Sequence, residues 1–465
     1  MQSVDFIVLF GYLTIVSGVA LWAGRKQTTA RSFFLAEQNL PWWMIMLSVV
    51  ATETSVLTFL SIPGVAYHGD FGFLQLAIGY VIGRWLVAHY LLPIYFEQGL
   101  ESTYEFLRNR WGEQVQRAGS LVFQLTRILA DGVRLFMTAI PLAMITGWSY
   151  PVSIAVIASF TLVYTILGGI RSVVWADSIQ FIIYLFGAIS TIYILGGLID
   201  GGWSAIISTA STENKLLFFQ GGHIVSHPYH FITAVVGGMF LSLASHGTDH
   251  LMVQRLMAAR DASAGRKALI GSGFMAFLQF ALFLLIGIGI WVHYGGKEIN
   301  SNEVFSSFII ASLPAGVKGL IVAAIFSAAM SSLSSSINAL ASSTMSDWVK
   351  RLAPSRYTLA NSRLLSLVWT IVLAGGASLF TSAEGPLVEI ALAIASFTYG
   401  GLLGFFIIGR IQTEFSASAV LTGFLSSIVV MAAVVRLTTL AWPWYTLVGL
   451  IIMVVVSYGV RWFQK

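Results

Sequence analysis

The sequence predicts an all-α membrane protein of about 13 transmembrane helices, and three observations lead to that fold class. Of the 465 residues, 57% are hydrophobic and only 10% are charged, whereas soluble domains carry about 25% charged residues. Apolar stretches of about 20 residues, the length that crosses a bilayer, recur along the whole chain. The chain contains no cysteine, which excludes disulfides, thiolate nucleophiles and cysteine-ligated zinc.

The apolar stretches follow one another with short polar connections. They cover 4–23, 42–66, 72–95, 119–147, 151–167, 175–199, 231–257, 268–294, 315–346, 359–381, 386–409, 416–437 and 441–461. Each has the length of one spanning helix, and no room remains for a large soluble domain. Polar residues interrupt the second and the seventh stretches, so we expect each of these to be a helix that is broken near its centre.

The two interrupted stretches indicate an internal repeat. The second holds five polar residues at mid-membrane depth, namely Thr52, Glu53, Thr54, Ser55 and Thr58. In the seventh, Gly247 lies between the ionisable His246 and Asp249. These stretches start five spans apart, and a five-span unit that is repeated in tandem enters the membrane in the opposite direction. Broken helices at matching positions of inverted halves indicate a transporter with a midplane binding site.

The repeat predicts a division of the chain. We expect inverted five-helix units at 41–199 and 230–411, joined by an extracellular loop at 200–229. An extra N-terminal helix precedes them at 1–40, and two extra C-terminal helices follow at 412–465.

The distribution of basic residues predicts the orientation in the membrane. With an external N-terminus, the outer loops hold only Lys215, Lys297, Lys318 and Arg436. Most of the 25 Lys and Arg residues, Lys26 and Lys465 among them, then lie on the inner side. Cytoplasmic loops carry such an excess. We therefore expect a multi-pass plasma-membrane protein with an external N-terminus and a cytoplasmic C-terminus, and we attribute the pI near 9.3 to these loops and not to nucleic-acid binding.

Several functional classes conflict with the sequence. It lacks the G-x-x-x-x-G-K-[ST] loop that holds ATP phosphates, which argues against a primary pump. An intramembrane hydrolase needs a metal cluster or an activated nucleophile within a span, and a channel is expected to show repeated charged rings. Neither pattern is convincing here. The sequence therefore favours a secondary transporter over an enzyme, and an ion channel is the distant alternative.

The ninth stretch has the composition of a cation site. Ser331, Ser334 and Ser335 follow one another at i, i+3 and i+4 and share one helical face. Hydroxyl and carbonyl oxygens suit a small hard cation such as Na⁺, although small residues also serve close packing between membrane helices. Asp177 could complete such a site, or it could act as a helix cap or first-turn charge.

The fourth stretch carries charge. Arg127, Asp131 and Arg134 lie at i, i+4 and i+7, and their summed charge is +1. Asp131 can pair with one arginine, which leaves the other to bind a carboxylate through its guanidinium. A closed ion-pair network with a structural role is the alternative. Glu53 is open to two interpretations, since it could bind the solute or hold the broken helix.

Four segments together resemble the sodium:solute symporter family over essentially the whole chain. They are Leu-Gly-Gly-Ile-Arg-Ser-Val-Val-Trp-Ala-Asp-Ser-Ile-Gln at 167–180, Ser-Thr-Tyr-Glu-Phe-Leu-Arg at 102–108, Thr-Asp-His-Leu-Met-Val-Gln-Arg at 248–255, and the serine run followed by Asn338. The resemblance implies the leucine-transporter fold, alternating access and Na⁺ as the driving ion.

The resemblance also implies ion ligands. The family's common sodium site would use the backbone oxygens of Ala51, Thr54 and Ala328 with the hydroxyls of Ser331 and Ser332. A second sodium site, present in some members, would use Asp177, Ser331, Ser334 and Ser335. His250 departs from the family, because many members have glutamine there, and its role stays open.

The resemblance is closer to the monocarboxylate, iodide and sialic-acid branches than to the sugar branch. We therefore expect a sodium-coupled symporter that imports a small organic solute, most simply an anion such as a monocarboxylate or an acidic sugar. A neutral sugar or polyol symporter is the alternative. The candidate solute-binding residues are Glu53, Ser55, Thr58, Arg127, Asp131 and Arg134. The oligomeric state is not predicted.

Overall fold

The computed structural model describes residues 2–25, 27–378, 380, 386–411 and 414–464, without the side chains of Pro141, Ile145 and Thr146. Lys26 and Lys465, which count towards the predicted orientation, lie outside the described residues, as do the predicted boundaries at 381 and 412. Throughout the described part the regular elements are helices, and β-pairing is limited to isolated bridges such as Leu40 with Ala259.

The helices that carry the fold are α1 (Ser3–Ala23), α2 (Trp42–Glu53), α3 (Ile62–His68), α4 (Leu74–Leu86), α5 (Glu113–Thr146), α6 (Tyr150–Leu198), α7 (Phe231–Gly247), α8 (His250–Met257), α9 (Ala262–His293), α10 (Val317–Ser343), α11 (Leu359–Ala377), α12 (Leu387–Arg410), α13 (Ala417–Leu437) and α14 (Tyr445–Phe463). Shorter helices cover Ala30–Leu35, Leu92–Glu97, Glu105–Trp111, Gly202–Thr212, Val304–Ser312 and Lys350–Leu352. Single 3₁₀ turns lie at Ala36–Gln38, Pro354–Arg356 and Trp442–Trp444.

The described residues provide nine helices that are long and apolar enough to cross a membrane, or up to eleven if each bent pair counts as one span. Two helices explain the difference from the predicted number. Helix α5 spans 34 residues but carries three charged residues in its centre. Helix α6 is assigned as one element of 49 residues, although it covers two of the predicted stretches.

Both predicted broken helices are confirmed. Helix α2 and the segment Leu57–His68 are bent by 60°, and α7 and α8 are bent by 59°. Thr54 ends α2 with a non-helical ψ of 72°. At the second break the Asp249 side chain caps α8 by accepting a hydrogen bond from the Leu251 backbone N–H. Polar side chains that bond to nearby backbone compete with helical hydrogen bonding, which accounts for breaks at these positions.

Two π-helical turns precede prolines. The turn Leu57–Ser61 runs into Pro63, and the turn Val87–Leu91 runs into Pro93. A proline lacks the N–H that an α-helix needs and its ring clashes with the carbonyl four residues earlier. A wider turn relieves that clash, so both helices continue beyond their prolines.

Gly169 divides α6. Its φ of 57° and ψ of −152° interrupt the helical backbone, and a Cβ atom there would lie 2.2 Å from the backbone oxygen of Phe33. Glycine alone adopts this conformation without steric cost. The chain therefore turns at Gly169 while it packs closely against the helix Ala30–Leu35.

Helix α10 lies at the centre of the molecule. The most apolar 18-residue stretch of the helical segment Val317–Leu352, which contains α10, is 94% buried inside the protein. The corresponding stretch of α1 is 33% buried. Its serines therefore face other helices and not lipid, which is the arrangement expected for an internal site. Helices α2, α5, α6 and α8 all pack against α10.

Candidate cation and solute sites

The break between α2 and Leu57 brings backbone oxygens next to α10. The Ser332 hydroxyl bonds to the backbone oxygen of Thr52 at 3.4 Å and to that of Ala328 at 3.1 Å. The last carbonyls of a helix have no partner within that helix, so the end of α2 offers oxygens to a ligand. Ala51, Thr54, Ala328, Ser331 and Ser332 are all buried.

The side chain of Thr54 is engaged elsewhere. Its hydroxyl donates to Oε1 of Gln279 on α9 at 2.7 Å. This hydrogen bond uses the hydroxyl proton of Thr54, while its backbone oxygen stays at the open end of α2. The Gln279 contact also fixes the end of α2 against α9.

Asp177 is buried between three helices. Its Oδ1 accepts a hydrogen bond from Ser331 at 2.7 Å, and its Oδ2 accepts one from Ser48 at 2.5 Å and one from Thr52 at 3.5 Å. Asp177 lies about two turns beyond the Gly169 break and neither caps nor begins a helix. The helix-cap interpretation is therefore wrong, and the carboxylate joins α6 to α2 and α10.

The candidate second sodium set is only partly assembled. Ser331 contacts Asp177, and Ser335 contacts Thr52 at 3.1 Å. The hydroxyl of Ser334, in contrast, donates to the backbone oxygen of Ser331 at 3.1 Å. No hydrogen bond between Ser334 and Asp177 is present among the described residues, so Ser334 is the member of the set that is not joined to the carboxylate or to Thr52.

Arg255 lies near the end of α8, and its side chain is fully buried beside Asp177. The guanidinium Nη2 lies 3.5 Å from Asp177 Oδ2, Nε donates to Ser48 at 3.1 Å, and Nη2 also donates to Ser335. The sequence contained a signal for this location, because Arg255 follows Met252 and Val253 on a largely apolar half-helix. Arg255 neutralises Asp177, so a sodium ion bound to Asp177 adds a positive charge unless the guanidinium moves away.

The charged residues of α5 form a network with α8 and α12. Arg127 lies 3.3 Å from Asp249 Oδ2 and 3.6 Å from Asp131 Oδ1, and its Nη2 donates to the Tyr399 hydroxyl at 2.9 Å. Tyr399 in turn donates to Asp249 at 2.5 Å. The sequence-based charge count omitted Asp249, which supplies the second carboxylate and brings the network to neutrality. Both terminal nitrogens of Arg127 therefore have partners, while its Nε has no hydrogen-bond partner among the described residues.

Arg134 has a different environment. Its Nη1 donates to Asp131 at 2.8 Å, and Asp131 also accepts a hydrogen bond from Ser336 at 2.5 Å. Nε of Arg134 is buried and has no hydrogen-bond partner among the described residues. The arginine borders one cavity beside Val56 and Ser332 and a second beside the broken helix.

Four of the candidate solute-binding residues border the second cavity. Glu53, Ser55, Thr58 and Arg134 border it, and its volume is about 60 Å³. That volume holds a few water molecules, so an organic solute requires the surrounding helices to separate. Arg127 and Asp131 are not among the residues that border this cavity.

Glu53 is held by an arginine of the neighbouring span. Nη2 of Arg84 pairs with Glu53 Oε2, and Nη1 donates to Ser272 on α9 at 2.9 Å. The Arg84 side chain is fully buried. Glu53 thus fixes the end of α2 while it also borders the cavity.

Both ring nitrogens of His250 have partners. Nδ1 lies 3.0 Å from the Thr103 hydroxyl, and Nε2 lies 3.1 Å from the Ser342 hydroxyl. These contacts join α8 to α10 and to the loop before Glu105. The geometry gives His250 a structural role away from the solute cavity.

Comparison with known proteins identifies the family of this chain. The family model described as sodium:solute symporter family matches residues 33–383. The sodium/sialic acid symporter NanT of Aliivibrio fischeri is 27% identical, over 98% of this chain and 92% of that protein. The sodium-coupled monocarboxylate transporter 2 of Mus musculus is 27% identical, over 92% of this chain and 71% of that protein.

A solved structure of a Na⁺-coupled sialic acid symporter, in a substrate-bound outward-open state, has the same fold. It superimposes with a TM-score of 0.90 at 26% identity and covers 99% of this chain and 98% of that chain. The likeness therefore extends over essentially the whole of both chains.

Proposed function

This chain belongs to the sodium:solute symporter family, and from that premise we propose that it imports a solute bearing a carboxylate by alternating access. It is a sodium-coupled membrane transporter and not an enzyme. Its multi-pass helical architecture is that of leucine-transporter-like proteins. The identity of the solute and the residues that bind it are the substance of the proposal.

The observation that carries the proposal is Arg134. A guanidinium has five N–H donors, and here Asp131 engages Nη1 while Nε is buried without a partner among the described residues. Arg134 also borders the cavity beside Ser55 and Thr58. A carboxylate that entered this cavity would give the guanidinium a bidentate partner. The names of two relatives give sialic acid and monocarboxylates as their solutes, and both solutes carry a carboxylate.

We assign Na⁺ to the site between the end of α2 and α10. The ligands are the backbone oxygens of Ala51, Thr54 and Ala328 with the hydroxyls of Ser331 and Ser332. The contacts of Ser332 with both helices support this assignment. A second Na⁺ would use Asp177, Ser331, Ser334 and Ser335 once Arg255 withdraws.

The architecture that we propose has 13 spans, with inverted units at 41–199 and 230–411, additional helices at 1–40 and 412–465, and an outer loop at 200–229. The inversion would relate each helix of the first unit to one helix of the second, so that contacts between helices should occur in matching pairs. Such matching pairs are present and support the proposal. Helix α4 packs on α7 just as α9 packs on α2 and α3, and α6 packs on α10 just as α12 packs on α5. With the basic residues on the inner side, the N-terminus is external and the C-terminus cytoplasmic.

Uptake into proteoliposomes with an inward Na⁺ gradient tests the proposal. The solutes are sialic acid, a short monocarboxylate, the amide of whichever acid is taken up, and a neutral sugar. We expect Na⁺-dependent uptake of an acid. We expect Arg134→Gln to raise its half-saturation concentration by roughly 30-fold, since hydrogen bonds to charged groups contribute about 1.5–3 kcal/mol each. Arg117→Gln, an exposed change on the same helix, is the control.

Three outcomes contradict the proposal. Equal effects of Arg134→Gln on the acid and on its amide would make Arg134 structural. Uptake of neutral sugars alone would favour the sugar or polyol alternative. Solute flux that is independent of the Na⁺ gradient would indicate a channel.

A further inference from the structure

Asp347 lies in a buried polar cluster away from the midplane sites. It belongs to the π-helical turn Thr344–Val349 at the end of α10, and only 1% of its surface is exposed. Sixteen residues separate it from Ser331, which corresponds to roughly 24 Å along a helix. π-helical turns are frequent at functional sites.

The carboxylate of Asp347 has no cationic partner among the described residues. Four carboxylates within the spans differ in this respect, because Asp131, Asp177, Asp249 and Glu53 each pair with an arginine. Asp5 instead accepts backbone N–H groups at the start of α10, and Glu389 bonds to a tyrosine beside an open cavity.

Basic side chains near Asp347 are engaged elsewhere. Arg117 pairs with Glu113 at 2.7 Å and lies over the ring of Trp348. Lys350 pairs with Glu101 at 2.7 Å. An uncompensated charge in a buried site is costly, so the site calls for a cation that the chain itself does not supply.

Oxygen atoms surround the carboxylate. Gln116 Nε2 donates to Asp347 Oδ1 at 2.8 Å, and the Ser343 hydroxyl donates to Oδ2 at 2.8 Å. Ser120 contacts Ser343 at 2.8 Å, and the Ser102 hydroxyl also faces the carboxylate. The amide oxygen Oε1 of Gln116 is buried and has no hydrogen-bond partner among the described residues. A buried acceptor without a partner calls for an explanation, and an ion or a water molecule bound at the site provides one.

We infer that Asp347, Gln116, Ser120 and Ser343 form an inner binding site for a monovalent cation, which in this symporter is Na⁺. The donor set consists of hard oxygens, and one carboxylate neutralises one monovalent charge, whereas a divalent ion would leave a positive charge buried. The choice of Na⁺ and the cytoplasmic location rest on the proposed function. A sodium ion that leaves the midplane site would bind here before its release into the cell.

Counting bound ²²Na⁺ on the full chain in nanodiscs tests the inference without any transport assay. We expect Asp347→Asn to lower the number of saturable Na⁺ ions per chain by one. Gln116→Leu, which removes Oε1 and keeps the carboxylate, should weaken the same ion at least 10-fold. Asp200→Asn, at an exposed aspartate, is the control. Ser331→Ala with Ser332→Ala should remove a midplane ion and leave the inner one.

The outcomes separate the two proposals. If uptake is not coupled to Na⁺ but Asp347→Asn still removes a bound ion, the proposed function fails and the inner site stands. An unchanged Na⁺ count and affinity in both Asp347→Asn and Gln116→Leu overturns the inner site, and a proton on Asp347 would give that result. If Asp347→Asn does not fold, Gln116→Leu alone decides, because it leaves the charge in place.

Discussion

The ion pair between Glu53 and Arg84 shows how single residues support the broken helix. Arg84 is fully buried, and Glu53 is the only carboxylate that pairs with it among the described residues. We expect Glu53→Gln to lower the free energy of unfolding by about 3 kcal/mol, because removing one member leaves a buried charge without its counter-ion. Thermal unfolding of the purified variant in detergent measures the change.

The exposed pair Glu113 with Arg117 provides the matched control. Glu113→Gln should change stability by less than about 1 kcal/mol, since solvent-exposed ion pairs contribute little. Similar losses in both variants would mean that Glu53 is not a structural anchor.

Individual residues were predicted well where their partners lie on the same helix. Asp131 and Arg134 are three residues apart, and their ion pair follows from helical spacing. The partners of Arg127 and Asp177 could not be found in this way, because Asp249 and Arg255 are distant in sequence and reach them only through tertiary packing. The apolar half-helix α8 indicates that Arg255 is buried, but it does not indicate which carboxylate the arginine pairs with.

Among the elements, α6 depends most on one residue. We expect Gly169→Ala to destabilise the protein by several kcal/mol, because alanine is strained at a φ of 57° and its Cβ would meet the backbone oxygen of Phe33. Gly197→Ala, on the same helix with nothing within 4 Å of the added Cβ, is the control and should be neutral or slightly stabilising. Unfolding temperatures in detergent provide the comparison. An equal, small effect of both substitutions would show that the chain can turn without Gly169.

The broken helices were predictable because polar residues in an apolar stretch have a direct physical cost in a membrane. The π-helical turns before Pro63 and Pro93 were not. A proline predicts a disturbance, but whether the chain kinks, breaks or widens depends on the helices that pack around it. The π-helical turn at Asp347 has no proline at all, and nothing in the local sequence indicates it.

At the scale of the whole molecule, the two faces differ. A cavity of about 510 Å³ opens beside Asp70, His227 and Glu389 on the side that we assign to the outside. On the opposite side Glu101 binds Lys350 at 2.7 Å and accepts a hydrogen bond from Tyr357 at 3.1 Å. Burial beside Glu101 raises the pKa of Tyr357, so its hydroxyl keeps the proton that it donates even in alkaline solution. These contacts join the segment before Glu105 to the segment that follows α10 on this face.

Weakening the inner contacts should shift the protein towards inner opening. In a chain without cysteine, a single Ser346→Cys change provides a buried thiol whose rate of labelling by a membrane-permeant maleimide reports exposure. We expect Glu101→Gln to raise that rate severalfold, because Lys350 and Tyr357 lose their common anion.

Glu113→Gln, which removes an exposed carboxylate on the same side, should leave the labelling rate unchanged. An unaltered rate in Glu101→Gln would mean that packing, and not this charge, holds the inner face closed.

The packing of α9 on α2 and α3 also has a consequence in time. Gly287 on α9 packs directly against Pro63, yet the ribosome adds it roughly 200 residues later. Synthesis proceeds at about 5–20 residues per second. The first broken helix is therefore in the lipid for roughly 10 to 40 seconds before α9, which packs against it, has been synthesised. During that interval Arg84 has Glu53 but not yet Ser272. The nascent chain therefore passes through a stage at which Arg84 has only one of its two side-chain partners. We expect cellular quality control to have most opportunity to act on the chain at this stage.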